Sequence, residues 1–303
     1  MKRLWIIPAA LAAAAALFTE ELYRFMFVRG GSPILDPILD KKGHEPPYYF
    51  MRDTAAEALR QRPCERMEIR SARGEKLCGF YYPGGGEGKR IAFLLHGYRS
   101  DHAEASGLYY EYYASRGFDL FCCDHTAHGE SEGRTIGFDV FESEDCLLWL
   151  DKLQERFGKG IQVVLHGFSM GGATVMRMSS RCPGCVKCIV EDSGFQSAET
   201  QLRPKLGVFY PVLYAMHRLI ARCDLRDSDV MPSLAAASLP ILFVHGKQDR
   251  SVPYENGPRL YEAYRGAKDC FFPDEARHVE SMYRAPEQYA EKLDALIRQT
   301  IEF

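Results

Sequence analysis

Gly167-Phe168-Ser169-Met170-Gly171 follows the apolar run 162–166 and precedes a helix-like run over 172–179. A G-x-S-x-G pentapeptide is weak evidence alone, but strand, sharp turn and helix are the setting it needs. The turn forces the serine into a strained backbone conformation, and its flanks must be glycine because neighbouring chain comes too close. Ser169 would then project from the carboxyl edge of a sheet. The N–H of Met170, opening a helix, would face developing negative charge.

Working outward, β-rich runs recur at 67–71, 77–82, 91–95, 118–123, 162–166, 186–190, 241–245 and 270–272. The first two are joined by the hairpin signal Arg73-Gly74-Glu75, and most later ones are separated by segments with helical periodicity. In 139–157 the apolar positions Leu147, Leu150, Leu153 and Phe157 keep helical spacing, as do Tyr289, Leu293, Leu296 and Ile301 near the end. An antiparallel start followed by alternating strand and helix predicts an α/β fold, a mostly parallel eight-stranded sheet covered on both faces. The chain's 303 residues, 46% of them hydrophobic, suffice for one large domain.

A serine needs a base to take its proton. Of nine histidines, His96, His166 and His245 each end a strand and are expected to shape turns, while His125 and His128 are expected to brace the loop after the fourth strand. His278, in the loop after the last strand, is the candidate base. Asp249, just past the 241–245 strand, is the candidate acid that orients it, with Asp192 as the alternative. The order Ser169, Asp249, His278 is that of a nucleophile elbow with its partners downstream. A second oxyanion donor is expected in the backbone N–H of Tyr98, where Gly97 lets the chain turn close to substrate.

Together, His96-Gly97, the loop from Asp124 to Ser131, Gly167 to Gly172, the turn from His245 to Asp249, and His278 resemble the α/β-hydrolase superfamily. Within it the chain is similar to the serine-aminopeptidase-like and monoacylglycerol-lipase-like branch, and to bacterial membrane-anchored hydrolases. The resemblance implies a serine hydrolase acting on a small ester, or a short acyl or peptide substrate, without cofactor or metal. A serine peptidase and a non-catalytic binding protein of the same fold are the alternatives. It also implies a lid at about 195–239, where Leu206, Phe209, Leu213, Met216 and Ile220 form an apolar helical face that Pro211 should kink. Phe209 and Met216 are expected to wall an acyl pocket, with simple core packing as the alternative. Thr126 stands where relatives often carry arginine, which puts the bracing of its loop in doubt.

Net charge is −3, so no overall field favours nucleic acid. At the N-terminus Lys2 and Arg3 precede an apolar run, 4–18, closed by Thr19, Glu20 and Glu21. Residues 1–30 are expected to form an anchor, with membrane contact through 4–28 and the catalytic domain outside. A cleaved signal, an ordinary packed helix and a cytoplasmic placement stay open. A linker and helix fill 31–65, and the catalytic domain is expected from 66 to 303. Cys182, Cys185 and Cys188 invite a zinc site but lack a clear fourth ligand, so free thiols are expected there with a disulfide as the alternative, and the redox state of the ten cysteines stays open.

Overall fold

The computed structural model describes residues 6–39 and 46–303. Lys2, Arg3 and Leu4, where the apolar N-terminal run begins, lie outside the described residues. Eight strands form one sheet: β1 Glu65–Arg70, β2 Lys76–Tyr82, β3 Arg90–Leu95, β4 Asp119–Cys123, β5 Gln162–Phe168, β6 Val186–Asp192, β7 Ile241–Val244 and β8 Lys268–Phe271. Their order is β1-β2-β4-β3-β5-β6-β7-β8, and only the β1–β2 and β2–β4 pairs are antiparallel. The longer helices are α1 Ile6–Phe27, α2 Pro46–Arg60, α3 His102–Ala114, α4 Val140–Phe157, α5 Met170–Met178, α6 Ala198–Leu206, α7 Tyr210–Ile220, α8 Asn256–Ala263 and α9 Pro286–Thr300.

The central strands are apolar throughout because both faces are covered. Alternate side chains of β5 serve opposite cores: Val163 and Leu165 join α4, α5 and the lid, whereas Val164 and Phe168 join α3 and α9. Each such side chain contributes roughly 1.5–3 kcal/mol through burial. Strand order reverses about β3, which is where an open parallel sheet leaves a crevice at its carboxyl ends.

Two pieces preceding the expected catalytic domain are built into it. Leu22, Tyr23 and Phe27, from the last turns of α1, are buried in the main core, and Phe27 meets Phe138 and His217 at ring-centroid distances of 5.5 and 4.4 Å. Helix α2 lies so close along α3 that a Cβ on Gly107 would come within 2.6 Å of the Ala55 carbonyl carbon. No helix among the described residues is long and apolar enough to cross a membrane.

Pro211 does not kink the lid. It sits in the first turn of α7, where its missing N–H costs nothing, after a short 3₁₀ turn over Gly207–Phe209. The proline inside a lid helix is Pro204, in α6.

Candidate active site

Ser169 joins β5 to α5 at φ 55° and ψ −113°, a left-handed backbone that a non-glycine residue adopts only when its surroundings impose it. Here they do. The Ser169 N–H donates to the Asp192 carbonyl at 2.8 Å, a Cβ on Gly167 would fall 2.0 Å from the Gly171 carbonyl oxygen, and one on Gly171 would fall 2.1 Å from that of Leu95. Side chains on both flanks are therefore excluded by backbone, which does not give way.

The turn after β7 and the loop after β8 deliver the other two groups. Asp249 Oδ1 accepts the N–H groups of Ser251 and Val252 at 2.8 and 2.9 Å, which fixes the carboxylate. Its Oδ2 accepts from His278 Nδ1 at 2.6 Å. With that nitrogen protonated, Nε2 presents its lone pair to the Ser169 hydroxyl, 2.8 Å away. The three expected residues thus form one connected chain. Burial would raise the Asp249 carboxyl, but His278 and a hydrogen bond from His245 hold it well below the usual carboxylate range.

Asp192, the alternative acid, is occupied elsewhere. Its side chain accepts from Ser193 Oγ at 2.8 Å and Tyr289 Oη at 3.0 Å, and burial pushes its carboxyl up to about 6. Of the strand-end histidines expected to shape turns, His96 links the Gly97 carbonyl to the His125 N–H, whereas His166 is buried between Tyr113 and Tyr289 and packs the core instead. His245 Nε2 donates to the Val252 carbonyl at 3.0 Å and stands 3.3 Å from Asp249, so it steadies the acid from behind.

Gly97 brings the third-strand turn against Ser169, since a Cβ there would lie 3.2 Å from that of the serine. Tyr98 follows at once, and its hydroxyl donates to the Phe25 and Met26 carbonyls at 2.9 and 3.0 Å. Met170 opens α5 directly after the serine. The two expected oxyanion donors therefore belong to segments that meet at Ser169.

Thr126 does not leave its loop loose. Its hydroxyl donates to Asp145 at 2.6 Å, Asp124 accepts from His102 and Glu130, and a guanidinium arrives from outside. Arg29, just past α1, donates to the carbonyls of Ser131 and Gly129. Local sequence gives no sign of that contact, because Arg29 lies about a hundred residues upstream.

A cavity of about 410 Å³ opens at Ser169 and His278, lined in part by Phe25, Met26, Arg52, Tyr98 and Lys205. A smaller one of about 130 Å³ shares Ser169 and His278 but is walled by Tyr48, Leu108, Tyr109 and Phe168. The expected walls Phe209 and Met216 are at neither. Met216 lines a separate space of about 1040 Å³ between α1 and α7, and Phe209 packs on Phe18 at 5.4 Å. The expected lid segment reaches the cavity at Ser169 through α6 instead, with Gln201, Leu202 and Lys205. Walls supplied by α1 and α2 carry no motif, so sequence reasoning missed them.

The sheet order, the strained Ser169 turn and its hydrogen-bonded partners decide the fold. The chain has the α/β-hydrolase fold. Residues 86–226 match the family described as serine aminopeptidase, S33. The chain is 27% identical over 182 residues to protein YqkD of Bacillus subtilis, covering 57% of this chain and 60% of that one. It is 36% identical over 120 residues to human monoglyceride lipase, 38% of each chain. Among solved structures, the Pyrococcus furiosus esterase Pf2001 superposes with TM-score 0.64 at 18% identity, over 86% of this chain and 96% of that one. The acylaminoacyl peptidase of Pyrococcus horikoshii gives 0.60 at 11% identity, over 81% and 43%. One fold thus carries both esterase and peptidase.

Proposed function

We propose that this α/β-hydrolase cleaves a carboxylic ester through a covalent acyl-enzyme on Ser169. The observation that carries the proposal is the unbroken path from Ser169 Oγ through His278 to Asp249, with links of 2.8 and 2.6 Å. The Ser169 oxygen attacks the ester carbonyl carbon while its proton passes to His278 Nε2, and Asp249 stabilises the imidazolium. The N–H groups of Met170 and Tyr98 hold the resulting oxyanion. Collapse breaks the bond to the alkoxide, which leaves as the alcohol with the proton from His278. Water, deprotonated by the same ring, then releases the carboxylic acid and regenerates the serine.

Two unequal cavities meeting at Ser169 support a substrate with one short arm, in the aromatic space beside Tyr48 and Tyr109, and one longer arm toward α6. An aminopeptidase needs a free carboxylate for the substrate's amine. Glu104, which lines both cavities, already accepts from Ser100 and stands 3.6 Å from Arg52, and this favours the ester. The test is hydrolysis of p-nitrophenyl esters of graded acyl length beside aminoacyl p-nitroanilides, with Ser169→Ala as control. Ser169-dependent turnover that favours short esters supports the proposal; faster cleavage of the anilides replaces it with a peptidase, and no Ser169-dependent turnover leaves a binding protein.

Membrane contact belongs to the same proposal. Leu11, Leu17 and Phe18 of α1 and Val212, Leu219 and Ile220 of α7 expose apolar side chains. Co-flotation with phospholipid vesicles, abolished by aspartate at Leu17 and Leu219, is the expected result.

A further inference from the structure

Behind the nucleophile, on the face of the sheet covered by α4, three soft donors converge. Cys123 ends β4, His125 lies two residues on, and Cys146 comes from α4. The two sulfurs and one imidazole nitrogen all lie within 4.8 Å of one another, and each residue is at most 1% exposed. None of the three has a part in the proposed reaction.

The histidine is what sets this cluster apart from ordinary core thiols. Both His125 ring nitrogens are buried without a hydrogen-bond partner. A neutral imidazole always offers one N–H and one lone pair, and leaving either unmet in a dry interior costs about 1–3 kcal/mol. Its aromatic neighbours cannot help. His96 spends both nitrogens on the Gly97 carbonyl and the His125 N–H, and His128 spends both on the Thr126 carbonyl and the Arg99 N–H.

We propose that Cys123, His125 and Cys146 form a three-donor site for a soft d¹⁰ cation of the zinc class. Their ligand atoms converge as those of Cys182, Cys185 and Cys188 do not among the described residues, with no fourth His, Cys, Asp or Glu donor in the cluster. Two thiols and an imidazole are borderline-soft donors that select such an ion over magnesium or calcium. The charge balances: a divalent ion displaces two thiol protons to solvent, and two thiolates plus a neutral imidazole leave the bound site uncharged in the apolar core. The geometry is within reach, since bonds of about 2.3 Å to sulfur and 2.0 Å to nitrogen set neighbouring ligand atoms roughly 3.5–3.8 Å apart. Closing from the observed spacing takes about 1 Å, the scale of side-chain torsion adjustment. The bound ion would tie the loop that carries His125 to Ser131 onto α4. That loop underlies Tyr98, because His128 accepts the N–H of Arg99.

The test uses the full chain, reduced and treated with chelator, then titrated with cadmium as probe. The expected result is one equivalent bound, with an ultraviolet thiolate-to-metal charge-transfer band and a raised Tm. The band should vanish in Cys123→Ala and in Cys146→Ala, weaken at least about tenfold in affinity in His125→Asn, and survive in Cys182→Ser/Cys185→Ser. Should the alanine variants fail to fold, X-ray absorption on the zinc-loaded native chain decides, with two sulfurs and one nitrogen in the inner shell expected. A folded native chain that binds no cadmium, a band that persists in Cys146→Ala, or an inner shell without sulfur would overturn the site.

Discussion

Asp249→Asn removes one charge and keeps the shape. The amide oxygen can still accept the N–H groups of Ser251 and Val252, now held at 2.8 and 2.9 Å, so the turn survives. The amide NH₂ must then face His278 Nδ1, where the carboxylate oxygen sits at 2.6 Å. Two donors cannot share that contact, so the ring proton moves to Nε2, the nitrogen that should receive the proton of Ser169. A wrong tautomer of this kind costs about 10⁴ in kcat, or roughly 5 kcal/mol of barrier. We expect p-nitrophenyl acetate turnover to fall by about 10³ to 10⁴ at neutral pH, with circular dichroism and Tm close to native. Asp192→Asn, whose carboxylate contacts Ser193 and Tyr289 rather than the ring, should lose less than about tenfold. A folded Asp249→Asn variant retaining a tenth of native turnover, or an Asp192→Asn variant losing more than it, would refute the assignment of the acid.

Burial pushes the Glu191 carboxyl up to about 8 from an ordinary 4.5, against the lowering effect of His245 and the Gly194 N–H. Between those values the folded chain holds a proton that the unfolded chain has released, so stability should fall as pH rises, by up to roughly 1.4 kcal/mol per unit. Urea unfolding of Glu191→Gln at pH 5 and 8 should show that slope flattened; an unchanged slope would count against it. Phe27→Ala should cost about 3–5 kcal/mol if the end of α1 is core rather than tether, and a loss under about 1 kcal/mol would return α1 to the role of a tether. Gly171→Ala drives a methyl to 2.1 Å from the Leu95 carbonyl oxygen, and should give insoluble or inactive protein; native Tm and turnover would contradict the packing of the elbow.

The inner strands were legible because they are buried on both faces and so read as short apolar runs, whereas the edge strands β1 and β8 are partly exposed and more polar; all eight are present, with ends displaced by up to a few residues. The hydrogen-bonded candidates Ser169, His278 and Asp249 were legible for a related reason, since each follows a recognisable strand by a short turn or loop. Helix α3 left no such trace. Its His102, Ser106, Tyr109, Tyr110 and Tyr113 are all buried, between the sheet on one side and α2 on the other, so no single apolar stripe marks it. The cavity walls escaped for want of any local signal. Phe25 and Arg52 line the cavity at Ser169 only because α1 and α2 fold back onto the body, and an apolar N-terminal run resembles an anchor whether its last turns enter a core or not. Met216 has the periodicity of a lid residue, but periodicity shows only that a face is buried and not which cavity it borders.

The covalent step itself is most directly measured by mass. Brief incubation with a fluorophosphonate, followed by proteolysis and peptide sequencing by mass spectrometry, should place one adduct on Ser169, with labelling abolished in Ser169→Ala and slowed in His278→Ala. An adduct on another residue, or none on a natively folded chain, would contradict an acyl-enzyme at this turn.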